Sequence, residues 1–247
     1  MLAPLQAKIK QKVTHVLSFG SGVNTFGLMV LLIREKLPFD LAIFADTGCE
    51  LPETYESLEV ARQYLGRHGI ELVVVKSKSG KTLFEKCQER KVLPSTLWRW
   101  STRDFKITPI HAYYRSLGTH INEYLGIAYD EAERMKESRE DYITSLFPLI
   151  DRKMTREDCV KLIRSARLPV PVKSGCYVCP FSPIWRWKYI HENHPSIYRR
   201  VMKLEESNKH FPDQTLTGQT LRGLVKSDFT INGKIPLDAP CGAYCMT

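Results

Sequence analysis

The sequence predicts an α/β fold: a doubly wound, mostly parallel sheet carrying a small C-terminal helical lobe that bears cysteines. Three observations predict it. Residues 16–25 read as a buried strand, a turn of small residues and the start of a helix. A second apolar run over 40–45 ends in Asp46-Thr47-Gly48, and Pro52 then opens another helix. A third run, Glu71 to Lys76, follows a helical stretch over 54–67. Strands that alternate with helices in this order give a parallel sheet with right-handed crossovers.

The first junction is the most informative. Val16-Leu17-Ser18-Phe19 ends in Gly20-Ser21-Gly22 before Val23-Asn24-Thr25 and an apolar helical run. Small residues there allow close backbone approach, and bare N–H groups at a helix N-terminus favour an anion such as phosphate. The alternative is a tight connection with no ligand. The second junction, Asp46-Thr47-Gly48-Cys49-Glu50, lies at the carboxyl end of the next strand. In open α/β sheets ligands bind along that edge. The two adjacent strands are therefore expected to present a phosphate cradle and an acidic Thr/Gly turn on the same edge.

These segments resemble the PP-loop (adenine nucleotide α-hydrolase) superfamily, in its branch of phosphoadenylylsulfate (PAPS) reductase-like proteins. Gly20-Ser21-Gly22-Val23-Asn24-Thr25 stands in the frame of the family loop Ser-Gly-Gly-x-Asp-Ser. Asp46-Thr47-Gly48 with Pro52-Glu53-Thr54 matches the branch's Asp-Thr-Gly and Pro-Glu-Thr elements. Ser101-Thr102-Arg103-Asp104-Phe105-Lys106, with Pro109, resembles Cys-Thr-x-x-x-Lys-x-x-Pro, with Ser101 in place of Cys. Gly126-Ile127, Asp130-Glu131, Arg134 and Pro148-Leu149-Ile150-Asp151 continue it in order, and the resemblance covers residues 13–206.

The resemblance implies a HUP-like fold, ATP with Mg²⁺, and cleavage between the α- and β-phosphates. It implies nucleotide-binding residues Ser18, Phe19, Gly20, Ser21, Gly22, Asn24, Thr25, Asp46, Thr47 and Gly48. It implies catalytic roles for Ser21, Asn24, Asp46, Arg103 and Lys106. Asn24 keeps an acceptor oxygen where the family has Asp but loses the charge, so Asp46 is the carboxylate left for the metal. Val23 replaces a family Lys, and Lys81, Arg103, Lys106 or Arg134 must supply that cation. Asp151 closes what reads as a later strand end, and Thr155 reads as a helix cap over Arg156-Glu157-Asp158.

The seven cysteines form a second signal. Their odd number and the lack of a secretory apolar segment argue against a disulfide framework and for a cytoplasmic protein. Cys176 and Cys179 form a C-x-x-C knuckle between Gly175 and Pro180, and Cys241 and Cys245 lie near the end of the sequence. Two such pairs make a four-sulfur site for a [4Fe-4S] cluster, with Zn²⁺ as the alternative. A redox dithiol at Cys176/Cys179 and a sulfur-handling nucleophile at Cys241 are the competing readings. Cys49, Cys87 and Cys159 read as small buried residues.

A chain of 247 residues, 43% hydrophobic, can bury a full core. The expected division is a nucleotide-binding domain over 1–168 and a cysteine-bearing lobe over 169–247, with the chain loop-like from Phe211 to the terminal cysteines. The apolar stretches are too short to span a membrane. A net charge of +9 calls for an anionic partner. Trp98-Arg99-Trp100, Trp185-Arg186-Trp187-Lys188-Tyr189 and Tyr198-Arg199-Arg200 interleave cations with aromatics, as nucleic-acid contacts do. The alternative is that these aromatics are core.

The function expected is an ATP pyrophosphatase that adenylylates a nucleic-acid acceptor for sulfur incorporation, resembling those of DNA phosphorothioation systems. DNA is preferred over tRNA as partner, with a cysteine desulfurase as sulfur source. A thioredoxin-dependent PAPS reductase competes, although Pro240 rather than Glu precedes Cys241-Gly242. So does a non-catalytic nucleic-acid-binding module with a degenerate nucleotide pocket.

Overall fold

Strand β1 (Val13–Ser18) forms the centre of the sheet because Val16, Leu17 and Ser18 can be buried on both faces. A computed structural model describes residues 12–95, 98–207 and 219–230. β2 (Leu41–Asp46), β3 (Glu71–Lys76), β4 (His120–Leu125) and β5 (Ile143–Leu146) complete a sheet of order β3-β2-β1-β4-β5, with every pairing parallel. The expected strands over 40–45 and 71–76 are present. The chain winds from β1 outward to β3, then returns to place β4 on the other side of β1. The switch point thus falls between β1 and β4, at the loop that follows Ser18.

The helices are α1 (Val23–Arg34), α2 (Pro52–Gly66), α3 (Leu83–Arg90), the short α4 (Trp100–Thr102) and α5 (Thr108–Leu117). They continue with α6 (Pro148–Asp151), α7 (Arg156–Ser165), α8 (Ile184–Asn193), α9 (Pro195–Glu206) and α10 (Leu221–Lys226). Leu17, Ala42, Phe44 and Tyr124 face α1, α2 and α7, while Val16, Ile43, Ala45 and Ile121 face α5. That alternation along each strand is the period of two that covers both sides of a parallel sheet.

A third apolar cluster sits on the carboxyl side of β2. It joins Cys49, Leu51, α3, Trp100 and Phe105 to the 176–179 knuckle and to α8, α9 and α10. The 176–179 knuckle with α8, α9 and α10 therefore packs directly on the β2 turn. Thr155 caps α7 as expected, its hydroxyl accepting from the Asp158 N–H.

Two expectations are corrected. Pro148 to Asp151 is the helical turn α6, not a strand end, and Asp151 is exposed. Pro148 cannot donate to a ladder, and β5 has already ended at Leu146. The chain after Phe211 is not all loop. Thr220 caps α10, Leu221 and Leu224 are fully buried, and Tyr198 donates its hydroxyl to the Leu221 carbonyl at 2.7 Å. Cys241 and Cys245 lie outside the described residues.

Gly27 shows how tightly α1 meets α7. A Cβ there would stand 2.6 Å from the Cys159 Cβ and 2.9 Å from its Cα. The Cα is backbone and cannot rotate away. Gly27→Ala should therefore lower unfolding stability by about 1–3 kcal/mol despite its better helix propensity, read as a shift in the urea midpoint at unchanged slope.

Candidate functional site

The loop after β1 is shaped by backbone rather than by polar side chains. Phe19 donates its N–H to the Ile43 carbonyl at 2.8 Å, and its ring packs on Phe26 inside the core. Ser21 adopts φ +55, the left-handed region that favours glycine. That costs about 1–2 kcal/mol for a residue with a Cβ. The Ser21 hydroxyl, fully buried, reaches the Thr54 carbonyl only at 3.4 Å. One such bond offsets at most part of that cost. Burial of Phe19 and Phe26, about 1.5–3 kcal/mol each, covers the rest.

Gly22 then caps α1 with no side chain of its own. Thr25 closes the first turn, its hydroxyl accepting from the Gly22 N–H at 3.2 Å and donating to the Gly22 carbonyl at 3.0 Å. No acidic residue lies in that turn. The dipole at the α1 N-terminus therefore meets no carboxylate within its own first turn. Two segments approach closely. A Cβ on Gly22 would come within 3.1 Å of the Ser174 hydroxyl, and one on Gly126 would overlap Thr25, at 2.5 Å from its Cγ2. The end of β4 and the approach to the cysteine knuckle thus frame the switch-point loop.

Asn24 explains itself here. Its amide nitrogen donates to Glu131 Oε2 at 3.0 Å, and Arg134 pairs with the same oxygen at 2.6 Å. An aspartate at this position would set two carboxylates against each other. Asn24 Oδ1 is buried and has no hydrogen-bond partner among the described residues. Arg134, which the sequence offered as one of four replacement cations, is tied to this loop through Glu131. Lys81 pairs with Glu89 at 3.0 Å. Arg103 is 69% exposed and pairs with Asp104 at 2.9 Å. Its assignment to catalysis gains no support from that position.

Ser18 also looks away from the loop. It hydrogen-bonds Glu123, which also accepts from the Tyr114 hydroxyl at 2.8 Å on the α5 side. Burial pushes the Glu123 carboxyl up, against those two hydrogen bonds.

Asp46 ends β2 with its carboxylate fully engaged. One oxygen accepts from the Gly48 N–H and the Tyr55 hydroxyl, each at 2.8 Å, and the other lies 3.4 Å from Lys76 Nζ. Gly48 takes φ +67, and a Cβ there would strike Thr82 at 2.5 Å, so glycine is required on both counts. Thr47, buried, passes the turn on to the cysteines. Its hydroxyl donates to Glu50 Oε1 at 3.2 Å and lies 3.2 Å from Cys176 Sγ.

The knuckle docks on this turn. Glu50 and Cys176 form an antiparallel bridge, Tyr177 donates its N–H to the Cys49 carbonyl at 2.8 Å, and Cys176 Sγ reaches Glu50 Oε1 at 3.2 Å. Burial and the Glu50 charge push the Cys176 thiol well up, while Lys106 and the Thr47 bond pull it back. A small cleft opens here, lined by Thr47, Ser101, Thr102, Lys106, Cys176 and Cys179 among others. The single π-helical turn Arg103–Ile107 produces this arrangement. It sends Phe105 into the core and leaves Lys106 on the cleft wall. Cys49 and Cys159 are buried, with thiols pushed up to about 12 by desolvation, which leaves them unreactive.

Arg186 holds the knuckle from behind. Only 3% exposed, its guanidinium donates to the Gly175 carbonyl, to the Cys176 carbonyl at 3.5 Å and to the Ser182 hydroxyl at 3.1 Å. Gly175 sits at φ +133 with Arg186 Nη1 3.0 Å from where a Cβ would lie. This corrects the nucleic-acid reading of that segment. Arg186 and Trp187 are interior, as are Trp100 and Tyr198. Glu53 ties α2 to the same lobe, accepting from the Tyr189 hydroxyl at 2.5 Å and facing His194 Nε2 at 2.7 Å. Sequence patterns did not mark Glu50, Ser174 or Arg186 as site residues, because their roles arise from contacts distant in sequence.

No protein-family model matches the chain, and no curated protein sequence does. Among solved structures, the U34-tRNA thiolase NcsA from Methanococcus maripaludis, with its [4Fe-4S] cluster, is similar at 16% identity and a TM-score of 0.52, over 82% of this chain and 74% of that one. A phosphoadenylyl-sulfate (PAPS) reductase from Candida auris, in a phosphate complex, is 16% identical with a TM-score of 0.49, over 67% of this chain and 81% of that one. At such identity the likeness shows the fold alone, a parallel α/β sheet flanked by helices. Among the described residues no group of three or more His, Cys, Asp or Glu side chains is placed to hold a metal, and no helix is long and apolar enough to cross a membrane.

Two outcomes test this geometry. Arg186→Met leaves the Gly175 and Cys176 carbonyls without their donor, at about 1–3 kcal/mol each. It should lower the denaturation midpoint far more than Arg199→Met on the exposed side of α9. For Glu53, burial raises the carboxyl, but the bonds from Tyr189 and His194 outweigh it and leave it below its ordinary 4.5. A depressed folded value stabilises above 4.5 and is lost as pH falls through the folded value. Glu53→Gln should therefore be destabilised most at neutral pH, with the gap to the parent closing on acidification in pH-dependent unfolding curves.

Proposed function

We propose that this protein is an ATP pyrophosphatase of the PP-loop superfamily that activates a nucleic-acid oxygen for replacement by sulfur. The observation that carries the reading is the docking of Cys176 on the 46–50 turn, with Cys176 Sγ 3.2 Å from the Thr47 hydroxyl. It puts a two-cysteine cleft directly beside the strand end expected to hold a nucleotide.

In this reading the triphosphate lies over residues 19–25. The α1 N-terminus faces it, and the close-packed Gly22 and Gly126 let backbone approach the phosphates. The buried Asn24 Oδ1 is left for a ligand or its Mg²⁺, with Arg134 neutralising Glu131 behind it. Asp46 and Thr47 hold the nucleotide side of the turn, and Lys106 faces the acceptor from the cleft wall. The chain's part is alignment of the acceptor oxygen with the α-phosphorus and stabilisation of the departing pyrophosphate charge. AMP on the acceptor oxygen then becomes the leaving group that sulfur displaces.

The described half of the four-cysteine set fits a cluster. Cys176 and Cys179 share one cleft, and the carboxylate nearest their sulfurs, Glu50 Oε1 at 3.2 Å from Cys176 Sγ, stands outside its lining. With Cys241 and Cys245 they would hold a [4Fe-4S] cluster; Zn²⁺ would make the same site structural. The resemblance to phosphorothioation enzymes favours DNA as acceptor with a cysteine desulfurase as donor. The fold shared with a tRNA thiolase makes tRNA the second acceptor to assay.

Protein purified without oxygen and supplied with ATP and Mg²⁺ should release AMP and pyrophosphate. With desulfurase and cysteine it should yield sulfur-bearing DNA or tRNA, detected by mass spectrometry of digested nucleotides. Asp46→Ala should lower AMP formation on the order of a hundredfold. Cys179→Ala should lower sulfur incorporation more steeply than AMP formation. Sulfite release from PAPS with no AMP from ATP would replace this reading with a reductase.

A further inference from the structure

Trp98 is the exception among the basic-aromatic segments. Trp100 and Trp187 are buried, whereas Trp98 is 52% exposed. Its backbone N–H donates to the Ser95 hydroxyl at 2.9 Å, and its ring leans on Trp100 at 6.4 Å. Trp100 is in turn fixed by Phe105 at 6.4 Å and by the Arg90 guanidinium at 4.7 Å. Trp98 is thus an exposed indole on a rigid base, not a frayed surface side chain.

Ser95, which accepts from the Trp98 N–H, and Arg99, the next residue in the chain, line the cleft that contains Cys176 and Cys179. The lining carries two cations, Arg99 and Lys106, and no acidic residue. Arg103, 69% exposed, follows shortly after in the chain. A flat aromatic face beside a cationic cleft suits one kind of occupant. Every nucleobase offers a π-face, and a cationic groove attracts the flanking phosphates. A base-paired strand keeps its faces stacked, so only a single-stranded or extruded base can use the indole.

We propose that Trp98 is the stacking platform for an unpaired base of the acceptor strand, seated at the mouth of the Cys176/Cys179 cleft with its phosphates toward Arg99 and Lys106. The inference rests on the reading that the acceptor is a nucleic acid, and it adds that the acceptor is bound unpaired. It requires neither ATP nor a cluster.

The test titrates the full-length protein with a short mixed-sequence single-stranded oligonucleotide, as DNA and as RNA, and with the corresponding duplex. The readouts are indole fluorescence and fluorescence anisotropy of the labelled strand. Single strands should quench the protein's indole emission. Trp98→Ala should lose that quenching and bind single strands about tenfold more weakly. Trp98→Phe should keep most of the affinity, and duplex should bind more weakly than either single strand. Tighter binding of DNA or of RNA identifies the acceptor strand. Equal affinity of Trp98→Ala and the parent, or duplex bound as tightly as single strand, overturns the proposal. AMP formation by the parent is scored separately. Its absence with Trp98-dependent strand binding intact defeats the pyrophosphatase reading alone, and its presence with unchanged Trp98→Ala binding defeats the stacking proposal alone.

Discussion

The docking of the 175–179 knuckle on the turn after β2 is the contact on which the site depends. Each partner is first shaped by contacts of its own. The turn gains its form from Asp46 accepting the Gly48 N–H, and the knuckle from Arg186 gripping the carbonyls of Gly175 and Cys176. A short antiparallel bridge and the Glu50–Cys176–Thr47 hydrogen bonds then join them. These groups are buried, so each polar atom must find a partner or incur a desolvation cost. That requirement selects one mutual orientation. The same cluster seats Trp100 and Phe105, so the cleft wall and the cysteine floor are set by one packing unit.

The loop after β1 depends on the sheet in a different way. β1 is central, and its neighbours β2 and β4 both end beside the loop at Ser18. Close contact of Gly126 with Thr25 and of Gly22 with Ser174 leaves room for backbone but not for additional side chains. Charge is kept one layer back. Glu131 is balanced by Arg134 and by the Asn24 amide, so no bare carboxylate opposes an incoming anion. With Asn24 rather than a carboxylate beside it, Glu131 meets a donor instead of a second negative charge.

Much of the fold was legible because it is written in short-range patterns. The apolar runs at 13–18, 41–46 and 71–76 and the helices between them follow from periodicity and from Pro52 and Thr155 as helix starts. The loop at Ser21 was legible from its glycines. The side-chain roles were less so. Ser18 and Ser21 read as ligand hydroxyls, yet both bond inward, because a loop at a sheet centre is packed from two faces. Trp185-Arg186-Trp187 read as a nucleic-acid surface, yet Arg186 and Trp187 point inside, since an α8 face buried against α9 takes whatever residues fall on it.

The sequence by itself determined the parallel α/β order, the two junction loops and the cysteine knuckle, since each is encoded within about ten neighbouring residues by period, turn chemistry and spacing. Tertiary structure alone decided which cation serves which site, which hydroxyls are spent internally and which of the tryptophans meets solvent. Those outcomes turn on contacts such as Asn24 with Glu131 and Cys176 with Glu50, separated by 107 and 126 positions. Only the closing of the sheet, which buries those groups together, brings such residues within hydrogen-bonding range.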